Sequence, residues 1–164
     1  MLNNEELMLI KQAIINEIEG YEFYNMASSK ASSKEVENAF LELANEEMQH
    51  VIWLKDLFSK VKDNNAADFQ LALIPEPTSP AIFKWKNIDR VDVGIAVSAF
   101  GIGIQMEKAS VEYYEKAAKA TKIKETKELY NILVKWEKVH LDKFSSQYEE
   151  LKEEWWSEQG YAPF

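Results

Sequence analysis

The sequence predicts an all-α protein, a four-helix bundle made of two helical hairpins joined by a long crossover. Four segments carry apolar residues at alternating spacings of three and four, the period of a helix with one buried stripe. Between the second and third segments lie about thirty residues, Val61 to Arg90, that hold Pro75, Pro77 and Pro80. They read as non-helical in the middle and are long enough to run the length of a bundle. A set of polar residues also recurs at an offset of 90 positions: Glu17 with Glu107, Glu22 with Glu112, Tyr24 with Tyr114, Glu47 with Glu137 and His50 with His140. That offset is the trace of one duplicated hairpin, with the two copies related by a pseudo-twofold axis.

The first helix has Leu7, Ile10, Ile14, Glu17, Tyr21 and Tyr24 on one face, and Asn3 followed by Glu6 has the spacing of a capping box at its start. The second places Val36, Phe40, Leu43, Glu47, His50, Leu54 and Leu57 together, with Ser32 and Glu35 as its capping box. The third runs through Val93, Val97, Phe100, Ile104, Glu107, Val111 and Tyr114, opened by Asp89 and Asp92. Its uncharged stretch, Val93 to Met106, is shorter than the roughly 20 helical residues that span a bilayer. It reads as a buried helix start, where Gly94, Gly101 and Gly103 permit close helix approach, with a channel or a dimer face as the other uses. The fourth carries Tyr130, Leu133, Glu137, His140, Phe144 and Leu151, and its start near Thr121 is weakly marked. Beyond it, the segment 152–164 holds Trp155, Trp156, Tyr161 and Phe164, more aromatic surface than a solvated tail normally shows.

At 164 residues the chain is expected to form a single domain, 1–164, large enough to enclose a polar site. A net charge of −9 argues against nucleic acid or an anionic membrane as partner. With no cysteine in these residues, they offer no disulfide, thiol nucleophile, zinc-thiolate site or iron-sulfur centre. The acidic N-terminus does not resemble a signal peptide, so the cytoplasm is the expected location.

The recurring residues carry the chemistry. Each histidine follows a glutamate by three positions, Glu47 with His50 and Glu137 with His140, so each helix presents a carboxylate and an imidazole on the same side. With 22 glutamates in the chain, a single such match is weak and the set is what is specific. Glu19, Glu35, Glu42, Glu115 and Glu125 fit a solvated helix surface, whereas Glu17, Glu47, Glu107 and Glu137 fall on apolar stripes. A carboxylate buried there costs several kcal/mol unless it is paired or binds metal. Four in one core also repel one another, so cations are expected. Two divalent ions match four carboxylates in charge, and the mixed oxygen and imidazole donors suit iron or manganese better than magnesium or structural zinc.

The order Glu-x6-Tyr, ExxH, Glu-x6-Tyr, ExxH, over residues 3 to about 152, resembles the rubrerythrin branch of the ferritin-like di-iron carboxylate superfamily, without a rubredoxin domain. The resemblance implies a ferritin-like bundle in which Glu47 and Glu137 bridge two irons. Glu17 and His50 would then bind one ion, and Glu107 and His140 the other. It also implies that Tyr24 and Tyr114 hydrogen-bond to site carboxylates. The chain departs from the family in three respects. It has no four-cysteine module, and Ile104 and Ser110 flank Glu107 where rubrerythrins carry a further glutamate. Related bacterioferritins place an acid before each ExxH, and here Glu46 matches but Trp136 does not.

The expected activity is oxidoreduction: hydrogen peroxide or oxygen would be reduced at the di-iron centre with electrons from a separate rubredoxin-like or flavin-dependent donor. The alternatives are iron oxidation and storage, and a metal-stabilised interaction module without catalysis. Gly20 and Ser110, one turn from Glu17 and Glu107, are expected to leave open positions beside the metals. A homodimer is expected, built partly from the C-terminal aromatic segment.

Overall fold

In a computed structural model, the described residues are 2–77, 90–158 and 160. Four long helices dominate them, α1 (Leu2–Lys30), α2 (Lys34–Lys62), α3 (Arg90–Ala120) and α4 (Lys124–Glu158). They pack as two antiparallel hairpins, α1 with α2 and α3 with α4, and α1 also lies against α3. This is a ferritin-like helical bundle.

The hairpin turns are short, three residues in each case, and caps mark both ends of α2 and the start of α4. Ser33, one position later than the sequence suggests, is the N-cap of α2, and its hydroxyl accepts from Val36 N at 3.3 Å. Ser32 lies before the cap, so Glu35 is simply an exposed acid of the first turn, where the helix dipole favours it. At the other end of α2, Asn64 takes a left-handed conformation (φ 60°), and Asn65 N and Asn64 N donate back to Lys60 O and Val61 O. These are the two bonds of a Schellman cap, at a position where asparagine tolerates positive φ.

The weakly marked start of α4 receives its cap from a remote part of the chain. Glu6 of α1 is buried, and its carboxylate accepts from Thr121 Oγ1 at 2.5 Å and Lys122 N at 2.6 Å. Thr121 Oγ1 in turn accepts from Ile123 N. Helix α1 begins at Leu2, so Asn3 lies inside it, and the capping box expected of Asn3 and Glu6 is replaced by this bond to the α3–α4 turn. Of the acids expected to open α3, Asp89 and the Asp92 side chain lie outside the described residues.

The crossover leaves α2 at Asp63 rather than Val61. Residues 63–77 form two single 3-10 turns, Ala66–Asp68 and Leu71–Leu73, with Phe69 buried and Leu71 and Ile74 packed on the bundle. Pro75 O accepts from Trp136 Nε1 at 3.3 Å and Glu76 pairs with Lys135 at 3.2 Å, which fixes this part of the crossover against α4.

The core is divided in two. One apolar cluster contains Phe40, Leu43, Phe100 and Phe144; the other contains Ile10, Leu54, Leu57, Leu129 and Leu133. Glu17, Glu47, His50, Glu107, Glu137 and His140, all under 5% exposed, form a polar layer on the same helices. The glycine-rich start of α3 serves packing at Gly103, where an added Cβ would lie 3.2 Å from Tyr24 Oη and 3.3 Å from the Phe144 ring. No described helix is long and apolar enough to cross a membrane.

Candidate metal centre

The spacing of three within each ExxH puts Glu47 and His50 on the inner face of α2, and Glu137 and His140 on that of α4. Glu17 comes from α1 and Glu107 from α3, so every helix contributes. His50 Nδ1 lies 3.1 Å from Glu17 Oε2 and 3.2 Å from Glu137 Oε1. His140 Nδ1 lies 3.5 Å from Glu47 Oε1, 3.7 Å from Glu137 Oε2 and 3.8 Å from Glu107 Oε1. The six side chains thus form two overlapping sets, Glu17, Glu47, His50 and Glu137, and Glu47, Glu107, Glu137 and His140, whose donor atoms lie within 4.8 Å of one another. Glu47 and Glu137 belong to both.

Both tyrosines singled out in the sequence reach this layer, each tied to the opposite hairpin. Tyr24 Oη donates to Glu107 Oε1 at 2.6 Å, and Tyr114 Oη donates to Glu17 Oε1. Burial, and then the nearby carboxylates, hold both phenols well above the usual tyrosine range, so they remain donors. Glu46, 25% exposed, lies at the edge of the layer, and His140 Nε2 meets its Oε2 at 2.5 Å. Trp136, at the position of Glu46 in the other half, instead packs edge-on against His50 with ring centroids 5.4 Å apart.

The electrostatics divide the four acids into pairs. Burial, followed by the charge of the neighbouring carboxylates, pushes Glu47 and Glu137 well above the usual range. Burial opposes ionisation of Glu107 too, but its contacts with Glu137 and His140 outweigh it and hold the carboxyl at about 2. For Glu17, burial is outweighed by the charge and hydrogen bond of His50, so it is lowered. The acids shared by both sets are therefore the ones whose ionisation the protein alone opposes. Glu47 Oε1, both Glu137 oxygens and His140 Nδ1 are buried without a hydrogen-bond partner among the described residues. Unsatisfied buried acceptors of this kind are costly, and hard cations with imidazole affinity are the partners that match the donor set.

One expectation about a neighbouring position changes. An added Cβ at Gly20 would lie 3.2 Å from Glu47 Oε2, so the room at Gly20 is taken by the Glu47 carboxylate rather than left open. Ser110 is partly exposed. Ile104, on the other side of Glu107, is an apolar core residue.

A helical bundle whose four helices each bring a carboxylate to one buried layer, two with histidine, belongs structurally to the ferritin-like class. The family model for rubrerythrin matches residues 9–148. The chain is a member of the rubrerythrin family. Family and buried cluster together are compatible with binding of two irons. A solved structure described as a hypothetical protein from Pyrococcus furiosus superposes with a TM-score of 0.62 at 22% identity, covering 90% of each chain, and so shows the same fold. No curated protein matches this chain.

Proposed function

We propose that the chain binds two iron ions in the two overlapping sets and reduces hydrogen peroxide or oxygen with electrons from a separate donor. The supporting observation is the sharing of Glu47 and Glu137 between two four-donor sets in a buried layer. In this reading Glu17 and His50 would hold one ion, Glu107 and His140 the other, and Glu47 and Glu137, which belong to both sets, would serve both. Held there as ferrous iron, the pair would supply two electrons and Lewis acidity for the reductive cleavage of a peroxide bond. Tyr24 and Tyr114 hold Glu107 and Glu17 in place by hydrogen bonds, and the apolar clusters on either side keep bulk water out. Manganese suits the same donors.

The 164 residues contain no cysteine and so provide no thiolate-bound electron carrier; a rubredoxin-like or flavin-dependent partner in the cytoplasm is the proposed donor. A homodimer is proposed through the end of α4, where Trp155 and Trp156 stack at 5.7 Å and Trp156 is 46% exposed.

Metal analysis of protein purified without chelator, followed by stopped-flow absorbance of the ferrous form, tests this reading. We expect two irons per chain, faster oxidation by peroxide than by oxygen, iron retained, and turnover only with added donor. Faster reaction with oxygen and mineral accumulating in a large particle would favour storage, and a chain that takes up no metal would favour an interaction module.

A further inference from the structure

The two histidines correspond across the 90-residue offset, but their outer nitrogens meet opposite environments. His140 presents Nδ1 to the acid layer and Nε2 to the Glu46 carboxylate at 2.5 Å. Glu46 is 25% exposed, so it keeps contact with water while holding the ring. His50 also presents Nδ1 to the acids, but its Nε2 is buried with no hydrogen-bond partner. Its ring sits between Trp53 and Trp136, at centroid distances of 5.5 and 5.4 Å, and the two indoles touch each other at 5.9 Å. Trp136 cannot swing away to admit an acceptor without giving up its own bond to Pro75 O.

Resting on the two-ion reading above, we propose that the two metal positions are unequal and fill in order: the position completed by Glu107 and His140 first, and that completed by Glu17 and His50 second. A histidine that binds metal through Nδ1 must carry its proton on Nε2. At His140 that proton is donated to a carboxylate, which fixes the tautomer and ring and makes the imidazole a better donor to metal. At His50 the same N–H is left buried and unpaired, a loss the metal bond has to offset. Glu46 is thus a positioning residue for one ion, and no described residue does the same for the other. Removing such an outer partner typically weakens metal binding about 10- to 100-fold. The two positions should differ by a factor of that order.

The test is titration of the metal-free full chain with cobalt(II), an air-stable substitute for ferrous ion, followed by d–d absorption and by proton NMR of the two imidazole N–H signals. The expected result is two resolved steps, with the first equivalent giving the large contact-shifted N–H signal of a ligated His140 and only the second giving that of a ligated His50. Glu46→Gln, at a part-exposed site, should weaken only the step assigned to His140 and close the gap, leaving the other step unchanged. Trp136→Glu, if it folds, should strengthen the weaker step. Two equal steps in the unaltered protein would overturn the inference while leaving the two-ion reading intact, as would Glu46→Gln weakening both steps alike. Uptake of fewer than two cobalt ions would overturn both.

Discussion

Glu47 and Glu137 are the only residues common to both donor sets, so removing either should affect both ions. Glu47→Ala or Glu137→Ala is expected to leave less than one iron per chain after reconstitution, whereas His50→Ala should reduce uptake towards one; metal content by mass spectrometry checks this. The same residues set the pH response of the metal-free chain. Glu47, Glu137, His50 and His140 have folded values raised above their unfolded ones, so the stability they contribute is complete at low pH and is lost as pH rises through the folded values. Glu17 and Glu107 are lowered, so their contribution is present above the ordinary carboxylate range and is lost as pH falls, for Glu107 towards about 2. The chelator-treated protein should therefore melt lower on both the acid and the alkaline side. Metal loading should remove the alkaline loss, because bound ions displace the same protons. Melting temperature against pH, with and without chelator, shows whether it does. The acid layer was legible in the sequence because a carboxylate on an apolar stripe violates the usual pattern. Glu6 was misread because a local cap three residues away looks the same in sequence as a bond to Thr121, 115 positions on.

At the scale of elements, the helices themselves were the clearest part of the sequence, since periodicity over about 30 residues leaves little choice of buried face. Their ends were less so. The cap of α2 fell one residue later than read, because Ser32 and Ser33 are chemically alike and only backbone geometry chooses between them. The start of α4 carried little signal because its cap is the side chain of another helix. Glu6→Ala should therefore destabilise the fold by about 1–3 kcal/mol, through loss of a buried acceptor to Thr121 and Lys122. Urea denaturation of the metal-free protein would measure it. The effect should exceed that of removing an exposed acid such as Glu19. The role of Gly20 was also hidden, since nothing in the sequence says which side chain will lie over a glycine.

For the whole molecule, a ligand held only by the folded state adds stability by mass action, about 4 kcal/mol at a thousandfold excess over its dissociation constant. Chelation should lower the melting temperature accordingly. The end of α4 poses a separate question of assembly. Trp155 and Trp156 border a groove of about 680 Å³ with Gly94, Val97 and Tyr148, while Tyr161 and Phe164 lie outside the described residues. Deleting residues 155–164 should convert a dimer to a monomer, read by sedimentation. An unchanged number of chains per particle would refute that assignment. The two-hairpin architecture was legible because the 90-residue offset is a global signal.

That offset has a further consequence through the crossed tyrosines. Tyr24 of the first hairpin holds Glu107 of the second, and Tyr114 of the second holds Glu17 of the first. Neither hairpin supplies the support for its own terminal glutamate, and neither has a complete donor set alone. A cation taken up by such a layer would favour the docked pair of hairpins over either one apart, because each half alone leaves its buried carboxylates unmatched in charge.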